Sequence, residues 1–298
     1  MPDEHAWPAR AEIDPIISAM PSGDEASIES IGRYIAARTS GDSFRRAKAI
    51  HDYVADRIRY DFAALKLPRI PDEDADAQIV WRNRKGVCAG YANLFVAIAK
   101  AADVEAMYLV GDARDTWGGT APQSHAWNAV KVDGRWLLVD ATWDAGSSDP
   151  SDGGETFHKR YRTLYLFTPP EVFGLDHFPA DEGWQLRANP LRHADFLHQP
   201  LLGPAFAAEG LELISPTQPQ VSASGSLDVR LKNPRLRSLL VTARQGSRPE
   251  TECTVAGDSD LDAHCKFDQP GPWRVMLYSS AQRNENHGSV AAIEVNSQ

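Results

Sequence analysis

Cys88 is the residue whose surroundings most directly suggest chemistry. It stands between two glycines, in Gly86-Val87-Cys88-Ala89-Gly90-Tyr91, at the start of an apolar helical pattern. Free backbone N–H groups and the dipole at a helix start favour negative charge, so a thiolate would be stabilised there. The same N–H groups could receive an oxyanion. A lone buried cysteine at a helix start is the structural alternative, so a catalytic cysteine requires partners.

The turn at Asp133-Gly134 predicts such partners, because this dipeptide is typical of two-residue hairpins. A two-residue loop pairs Val132 with Arg135, which makes His125 and Asp140 diagonal neighbours on one face of the ribbon. Their Cβ atoms would lie roughly 7–8 Å apart, or a little less. The carboxylate would then hold the histidine tautomer and stabilise the imidazolium. The alternative to a catalytic pair is a buried histidine whose hydrogen bond is made by a buried aspartate, with no catalytic role.

The elements that must position these residues follow from the hydrophobic period. Asp42 is predicted to cap a helix, and a second helix is predicted to begin near Cys88. Three strands are predicted over residues 106–110, 125–132 and 135–143. From about Gly203-Pro204 onward, short β-type runs at 211–215, 226–232, 238–243, 273–279 and 289–295 indicate a β-sandwich appended to an α+β domain.

Three blocks together resemble the signature of the transglutaminase-like superfamily of papain-like thiol enzymes. The blocks are residues 86–92, 124–128 and 138–143, and the segments 177–179 and 183–186 resemble the kyphoscoliosis-peptidase-like branch. The resemblance covers roughly residues 43–186. It implies an α+β, papain-like core in which a helix bearing the cysteine packs on an antiparallel sheet. It also implies Cys88 as nucleophile, His125 as base and Asp140 as the residue that orients the base.

The resemblance further implies an aromatic or amide group that stabilises the oxyanion upstream of the nucleophile. Tyr60 lies in the right region, although an amphipathic packing tyrosine fits equally well. Trp127 is predicted to wall the acyl site, with a core role as the alternative. No counterpart of acidic calcium loops is present in the sequence, so we expect no cofactor and no metal. We predict a transglutaminase-like catalytic domain over residues 1–200 and an Ig-like β-sandwich over residues 205–298.

The charge balance narrows the class of partner. The 298 residues carry 41 acidic and 31 basic side chains, a net charge of −10. Such a surface repels phosphate backbones, so we expect a peptide or protein substrate and no nucleic acid. No apolar run approaches the roughly 18 residues of a membrane span. The sequence indicates no oligomeric state.

The other two cysteines, Cys253 and Cys265, lie 12 residues apart in what look like neighbouring strands. A disulfide between them would imply an oxidising compartment and a missing leader, hence a periplasmic or secreted protein. Two separate buried thiols are the alternative. No signal peptide is visible, which fits a cytoplasmic protein as written, or a secreted one without its leader, and the sequence alone does not decide between them.

We therefore expect thiol-dependent acyl transfer on peptide or glutamine amides, with hydrolysis as the favoured outcome and protein crosslinking as the alternative. A non-catalytic interaction scaffold is the alternative from another class. A third interpretation is zinc bound by Cys88, His125 and Asp140, but a cysteine at a helix start suits a nucleophile better.

Overall fold

The computed structural model describes residues 6–67, 74–148, 156–282 and 287–298. The α-helices are α1 (Pro15–Ser18), α2 (Ile28–Arg38), α3 (Ser43–Arg57), α4 (Ala77–Asn83), α5 (Cys88–Ala101), α6 (Ala141–Ala145), α7 (Pro170–Phe173), α8 (His193–His198) and α9 (Pro204–Ala208). The first strands are β1 (Arg59–Tyr60), β2 (Lys85–Gly86), β3 (Ala106–Ala113), β4 (Gln123–Val132), β5 (Arg135–Val139), β6 (Gly146–Ser148), β7 (Phe157–Lys159), β8 (Leu166–Thr168) and β9 (His177–Pro179). The later strands are β10 (Leu201–Leu202), β11 (Glu212–Ser215), β12 (Gln220–Ala223), β13 (Ser226–Lys232), β14 (Ser238–Arg244), β15 (Thr251–Glu252), β16 (Thr254–Gly257), β17 (Asp260–Lys266), β18 (Gly271–Ser280) and β19 (Gly288–Ser297).

Packing divides the chain into two units. The first contains Met1–Gly111, Ser124–Pro170 and Pro179–Leu186, and the second contains Asp112–Gln123, Glu171–Phe178 and Arg187–Gln298. The second unit, called the C-terminal unit below, thus takes two segments from the part of the sequence before Arg187. The domain limits at residues 200 and 205 stay a prediction.

Helices α3 and α5 form the centre of the first unit. Asp42 caps α3 as predicted, with its carboxylate accepting the Arg45 N–H at 2.8 Å. Helix α5 begins at Cys88, and its apolar face is buried in a cluster that also includes strand residues such as Val130 and Val139. The helix that bears the cysteine therefore packs on the sheet. In the described ranges, no helix is long and apolar enough to span a bilayer.

Gly90 is required by the close approach of the chain to the start of α5. A Cβ at this position would overlap the Asp74 carbonyl oxygen and come within 2.7 Å of Val80 Cγ2. The second glycine of the cysteine motif therefore has a packing reason. It lets the segment before α4 lie directly against the first turn of α5.

The sheet of the first unit includes β8, β5, β4 and β3 in that order. Strands β4 and β5 pair antiparallel in the predicted register, with Val132 opposite Arg135 and Asn128 opposite Val139. Asp133 and Gly134 both have positive φ, at 48° and 77°, as the tight turn requires. The predicted strand 135–143 is too long, because β5 ends at Val139 and Asp140 caps α6 instead.

The C-terminal unit is β-rich. One sheet has the order β10-β19-β18-β14-β15 with β12 beside β19, and the other has the order β11-β13-β17-β16. Both sheets contribute side chains to one hydrophobic cluster, for example Val229 and Ala263 from one sheet and Val275 and Ile293 from the other.

Cys253 and Cys265 form a disulfide in this unit, which answers the question that the sequence left open. Cys253 donates its N–H to the Val241 carbonyl in β14, while Cys265 lies in β17 of the other sheet. The bond therefore joins the two sheets.

Candidate active site

Asp140 divides its two carboxylate oxygens between two partners. Oδ1 accepts the N–H groups of Thr142 at 2.8 Å and Trp143 at 3.2 Å, and so caps α6. Oδ2 lies 2.8 Å from His125 Nε2, and because an ionised carboxylate only accepts, Nε2 carries the proton. Asp140 is fully buried and its own N–H donates to the Tyr165 carbonyl at 2.9 Å. Hydrogen bonds with the backbone therefore hold Asp140 in place independently of its contact with the imidazole.

Cys88 reaches the other side of the same imidazole. The thiol is partly exposed and is hydrogen-bonded to His125, and the Ala126 N–H also points at the sulfur. Since His125 Nε2 is committed to Asp140, Nδ1 is the nitrogen left for the sulfur. The structure therefore brings Cys88, His125 and Asp140 into one connected row.

The pKa shifts of the pair favour a thiolate beside an imidazolium. Burial alone would raise the pKa of the Cys88 thiol, but the hydrogen bond and charge of His125 and the Ala126 N–H together lower it. Burial alone would lower the pKa of His125, but the charge and hydrogen bond of Asp140, aided by Cys88, raise it to about 10. Both shifts act in the direction that favours transfer of the thiol proton to the imidazole.

Tyr60 also lies beside Cys88. The two-residue parallel pairing of β1 with β2 places Tyr60 opposite Gly86, two residues before the cysteine. Burial first, and then the charge of Cys88, raise the pKa of the Tyr60 hydroxyl, and the Cys88 N–H bonds to the Tyr60 oxygen. The phenol therefore stays protonated and is able to donate a hydrogen bond at the first turn of α5.

Trp127 lies against the histidine. Its ring stacks on His125 with centroids 6.1 Å apart, and only 1% of its surface is exposed. Trp143 contacts the same imidazole at 5.0 Å and meets Tyr165 edge to face at 5.2 Å. Two indoles therefore restrict the imidazole ring and exclude water from its contact with Asp140.

Three neighbours of the site were not predicted from sequence. Ala126 acts through its backbone, which leaves no signal in residue type. Trp143 belongs to the third signature block, so its position was available even though its contact with His125 was not. Tyr108, in β3, is half-exposed. Partial burial raises the pKa of its hydroxyl, and the charge of Cys88 is the second cause. An exposed tyrosine on a strand carries no functional signal by itself.

Residues 29–141 match the family profile of the Transglutaminase-like superfamily. This region contains α2 to α5, the hairpin and all three connected side chains. Residues 29–141 therefore form a transglutaminase-like domain. The predicted α+β, papain-like fold class is confirmed by this match together with the cysteine-bearing helix packed on its sheet. The superfamily is one of cysteine-dependent enzymes.

The chain is similar to two curated relatives, and the first of them supports the kyphoscoliosis-peptidase-like branch. The kyphoscoliosis peptidase of Homo sapiens is 36% identical over 154 residues, which are 49% of this chain and 22% of the relative. The Lim and transglutaminase domain protein ltd-1 of Caenorhabditis elegans is 28% identical over 188 residues, 59% of this chain and 25% of the relative. The chain thus spans about a quarter or less of the length of these curated relatives.

A solved structure described as a TGase also resembles part of the chain. The sequence identity is 23%, the TM-score is 0.31, and the overlap covers 41% of this chain and 32% of the other. A TM-score this low decides nothing beyond what the family match has established.

Proposed function

We propose that this transglutaminase-like chain is a thiol-dependent acyl-transfer enzyme acting on peptide or glutamine amides, with Cys88 as nucleophile, His125 as acid and base, and Asp140 as the residue that orients His125. The observation that carries the proposal is the continuous row of hydrogen bonds from the sulfur through the imidazole to a buried carboxylate 2.8 Å away. Nucleophile, base and orienting group in contact are the requirement for nucleophilic catalysis by a thiol.

In the first step the Cys88 thiolate attacks the amide carbonyl carbon and a C–S bond forms. The oxyanion is stabilised by the protonated Tyr60 hydroxyl, whose oxygen is held by the Cys88 N–H. The C–N bond then breaks, and the proton on His125 goes to the departing amine. A thioester of Cys88 remains, with a neutral imidazole beside it.

In the second step the neutral imidazole takes a proton from the attacking group, whose oxygen or nitrogen bonds to the acyl carbon. The C–S bond then breaks, and Cys88 leaves as a thiolate beside the imidazolium. Water gives a carboxylic acid, so the overall reaction is amide hydrolysis, whereas a primary amine gives a new amide and a crosslink. We favour hydrolysis, because the relative at 36% identity is named a peptidase and because Cys88 is partly exposed and so open to water.

The first experiment measures whether Cys88 is an activated thiol. Cys253 and Cys265 are bonded to each other, so unreduced protein offers iodoacetamide a single thiol. We expect rapid alkylation of Cys88 at neutral pH and a slow reaction in His125→Ala, because the thiolate loses its partner. Alkylation at equal rates in the two proteins would contradict the activated thiol and favour a non-catalytic scaffold.

The second experiment identifies the reaction. Wild type and Cys88→Ala are incubated with a peptide library rich in glutamine, with and without a primary amine, and the products are read by mass spectrometry. Cleavage or deamidation that requires Cys88 supports hydrolysis. Amine incorporation in preference to water would replace hydrolysis with crosslinking, and no product in either case would overturn the proposed activity.

A further inference from the structure

A second buried group of ionisable side chains lies behind the candidate site, in the same unit. His51, Asp52 and Asp144 have no exposed surface. His51 Nδ1 lies 3.1 Å from Asp52 Oδ1, and Nε2 lies 3.1 Å from Asp144 Oδ2. Since both partners are carboxylates, both ring nitrogens act as donors only when the imidazole is protonated. His51 is therefore an imidazolium held between two aspartates.

The surrounding charges are consistent with that state. Burial alone would lower the pKa of His51, but the hydrogen bonds and charges of Asp144 and Asp52 raise it. Lys48 Nζ lies 2.5 Å from Asp52 Oδ2, and the Tyr161 hydroxyl donates to Asp52 Oδ1 at 2.6 Å. On the other side, burial raises the pKa of Asp144, while the hydrogen bond and charge of His51 and then the charge of Arg162 act to lower it.

Asp144 connects this group to Asp140. Both aspartates belong to α6, where Asp140 is the cap and Asp144 lies one turn later. Asp144 Oδ2 accepts the Tyr165 N–H at 3.0 Å, and the Tyr165 carbonyl accepts the Asp140 N–H at 2.9 Å. Asp144 Oδ1 accepts the Leu164 N–H at 3.0 Å. The short helix and the strand-side segment at Tyr165 therefore hold each other at two points.

Buried ion pairs add little net stability, because desolvation of the two charges offsets their attraction. Fixed geometry is what such a pair supplies here. A five-residue helix has too few internal hydrogen bonds to hold its own direction. His51 projects from the fifteen-residue helix α3, so the His51–Asp144 contact joins the short helix to a rigid neighbour.

We propose that the buried His51–Asp144 pair is a positioning device, which fixes α6 and Tyr165 and thereby sets the Asp140 carboxylate against His125. The inference rests on the proposed function, since it assigns these two residues a role in preparing that site. Neither residue touches the reacting atoms, so both are positioning residues.

The test compares two matched variants, Asp144→Asn and Asp52→Asn. Each removes one of the two carboxylates of His51, and the two positions are equally buried. Only Asp144 belongs to α6. The readout is the pKa of the His125 imidazole, followed by NMR as a function of pH, together with the rate of Cys88 alkylation by iodoacetamide.

In Asp144→Asn we expect the pKa of His125 to fall by about 1 unit, because an opposite charge in contact is displaced. Alkylation of Cys88 at neutral pH should slow about tenfold with it. In Asp52→Asn the pKa of His125 and the alkylation rate of Cys88 should equal those of wild type. This should hold even if the melting temperature drops as much as it does in Asp144→Asn. Equal effects of the two variants on the His125 pKa would overturn the positioning role.

If Asp144→Asn does not fold, the double variant His51→Gln with Asp144→Asn replaces it, because Asp52 keeps Lys48 as its partner and no buried charge is left unpaired. It removes the same contact between α3 and α6, so the same fall in the His125 pKa is expected. Asp52→Asn stays the control. The NMR readout needs no turnover, so an absence of acyl transfer in wild type would contradict the proposed function while the comparison still decides the positioning role.

Discussion

His125 donates its Nε2 proton to Asp140 Oδ2 at 2.8 Å, and the other oxygen of that carboxylate caps the helix that Asp140 begins. One side chain therefore sets both a local backbone structure and the tautomer of the imidazole. The two tasks can be separated by substitution, because asparagine is as good a helix cap as aspartate but a different partner for histidine.

We expect Asp140→Asn to fold like wild type and to lose most of its thiol reactivity. The amide oxygen can keep the cap on Thr142 and Trp143, which directs the amide NH₂ at His125 Nε2. Nε2 must then accept, so Nδ1 carries the proton and cannot take one from Cys88. The expected loss is about 10⁴-fold in acyl-transfer rate. Asp140→Ala should lose the reactivity and, in addition, about 1 kcal/mol of stability with the cap. Thermal melts and alkylation rates of the two variants check this, and equal stability would show that the cap is unimportant.

The raised pKa of His125 and the lowered pKa of Cys88 act on stability in opposite directions. The histidine contributes stability that is complete below about 6.5 and is lost as the pH rises toward about 10. The thiol contributes stability that is present above 9.0 and is lost as the pH falls through its lowered pKa. Between these limits the two slopes cancel in wild type.

Cys88→Ala removes the contribution of the thiol and leaves that of the histidine. Cys88 also helps to raise the pKa of His125, so the variant keeps only the part of that shift which Asp140 causes. We therefore expect the free energy of unfolding of this variant to fall, relative to wild type, as the pH rises from 6.5 through the pKa that Asp140 alone gives the imidazole. Urea titrations of both proteins across this range measure the difference. Parallel curves would mean that thiol and imidazole do not share a proton.

Tyr60→Phe should slow thioester formation about 100- to 1,000-fold, because one donor to the oxyanion is lost. The ring contacts with Phe62 at 4.8 Å and Tyr91 at 6.2 Å remain, so the melting temperature should hardly change. Tyr91→Phe is the matched control, since the buried Tyr91 hydroxyl has no hydrogen-bond partner among the described residues. The activity of Tyr91→Phe should equal that of wild type. A loss as large as that of Tyr60→Phe would contradict a specific role of the Tyr60 hydroxyl in binding the oxyanion.

Reduction of the Cys253–Cys265 disulfide should destabilise the C-terminal unit by about 3 kcal/mol. The bond closes a loop of 12 residues and joins the two sheets, so its loss frees the unfolded chain and separates two faces of one core. Calorimetry of Cys88→Ala with and without reductant isolates the effect, because no other thiol is present. An unchanged transition would indicate that the sheets are held by their apolar cluster alone.

The hairpin that carries His125 was predictable from residue type, because Asp133 and Gly134 are suited to the positive φ that both adopt. The end of its second strand was not predictable from residue type. The Asp140 side chain accepts a hydrogen bond from the Thr142 N–H, and this local bond starts a helix where the pattern predicted more strand. The position of Tyr60 depends on a pairing with Gly86, and that of His51 on a partner 93 residues away. Contacts of such sequence separation leave no periodic pattern to read.

The disulfide has a consequence for damage by oxidants. With Cys253 and Cys265 bonded to each other, Cys88 is the single thiol of the chain. A sulfenic acid formed there has no resolving cysteine within the molecule, so only a thiol from outside can return it to the reduced form before irreversible oxidation. The lifetime of the protein under peroxide would then be set by the small-molecule thiols of its surroundings.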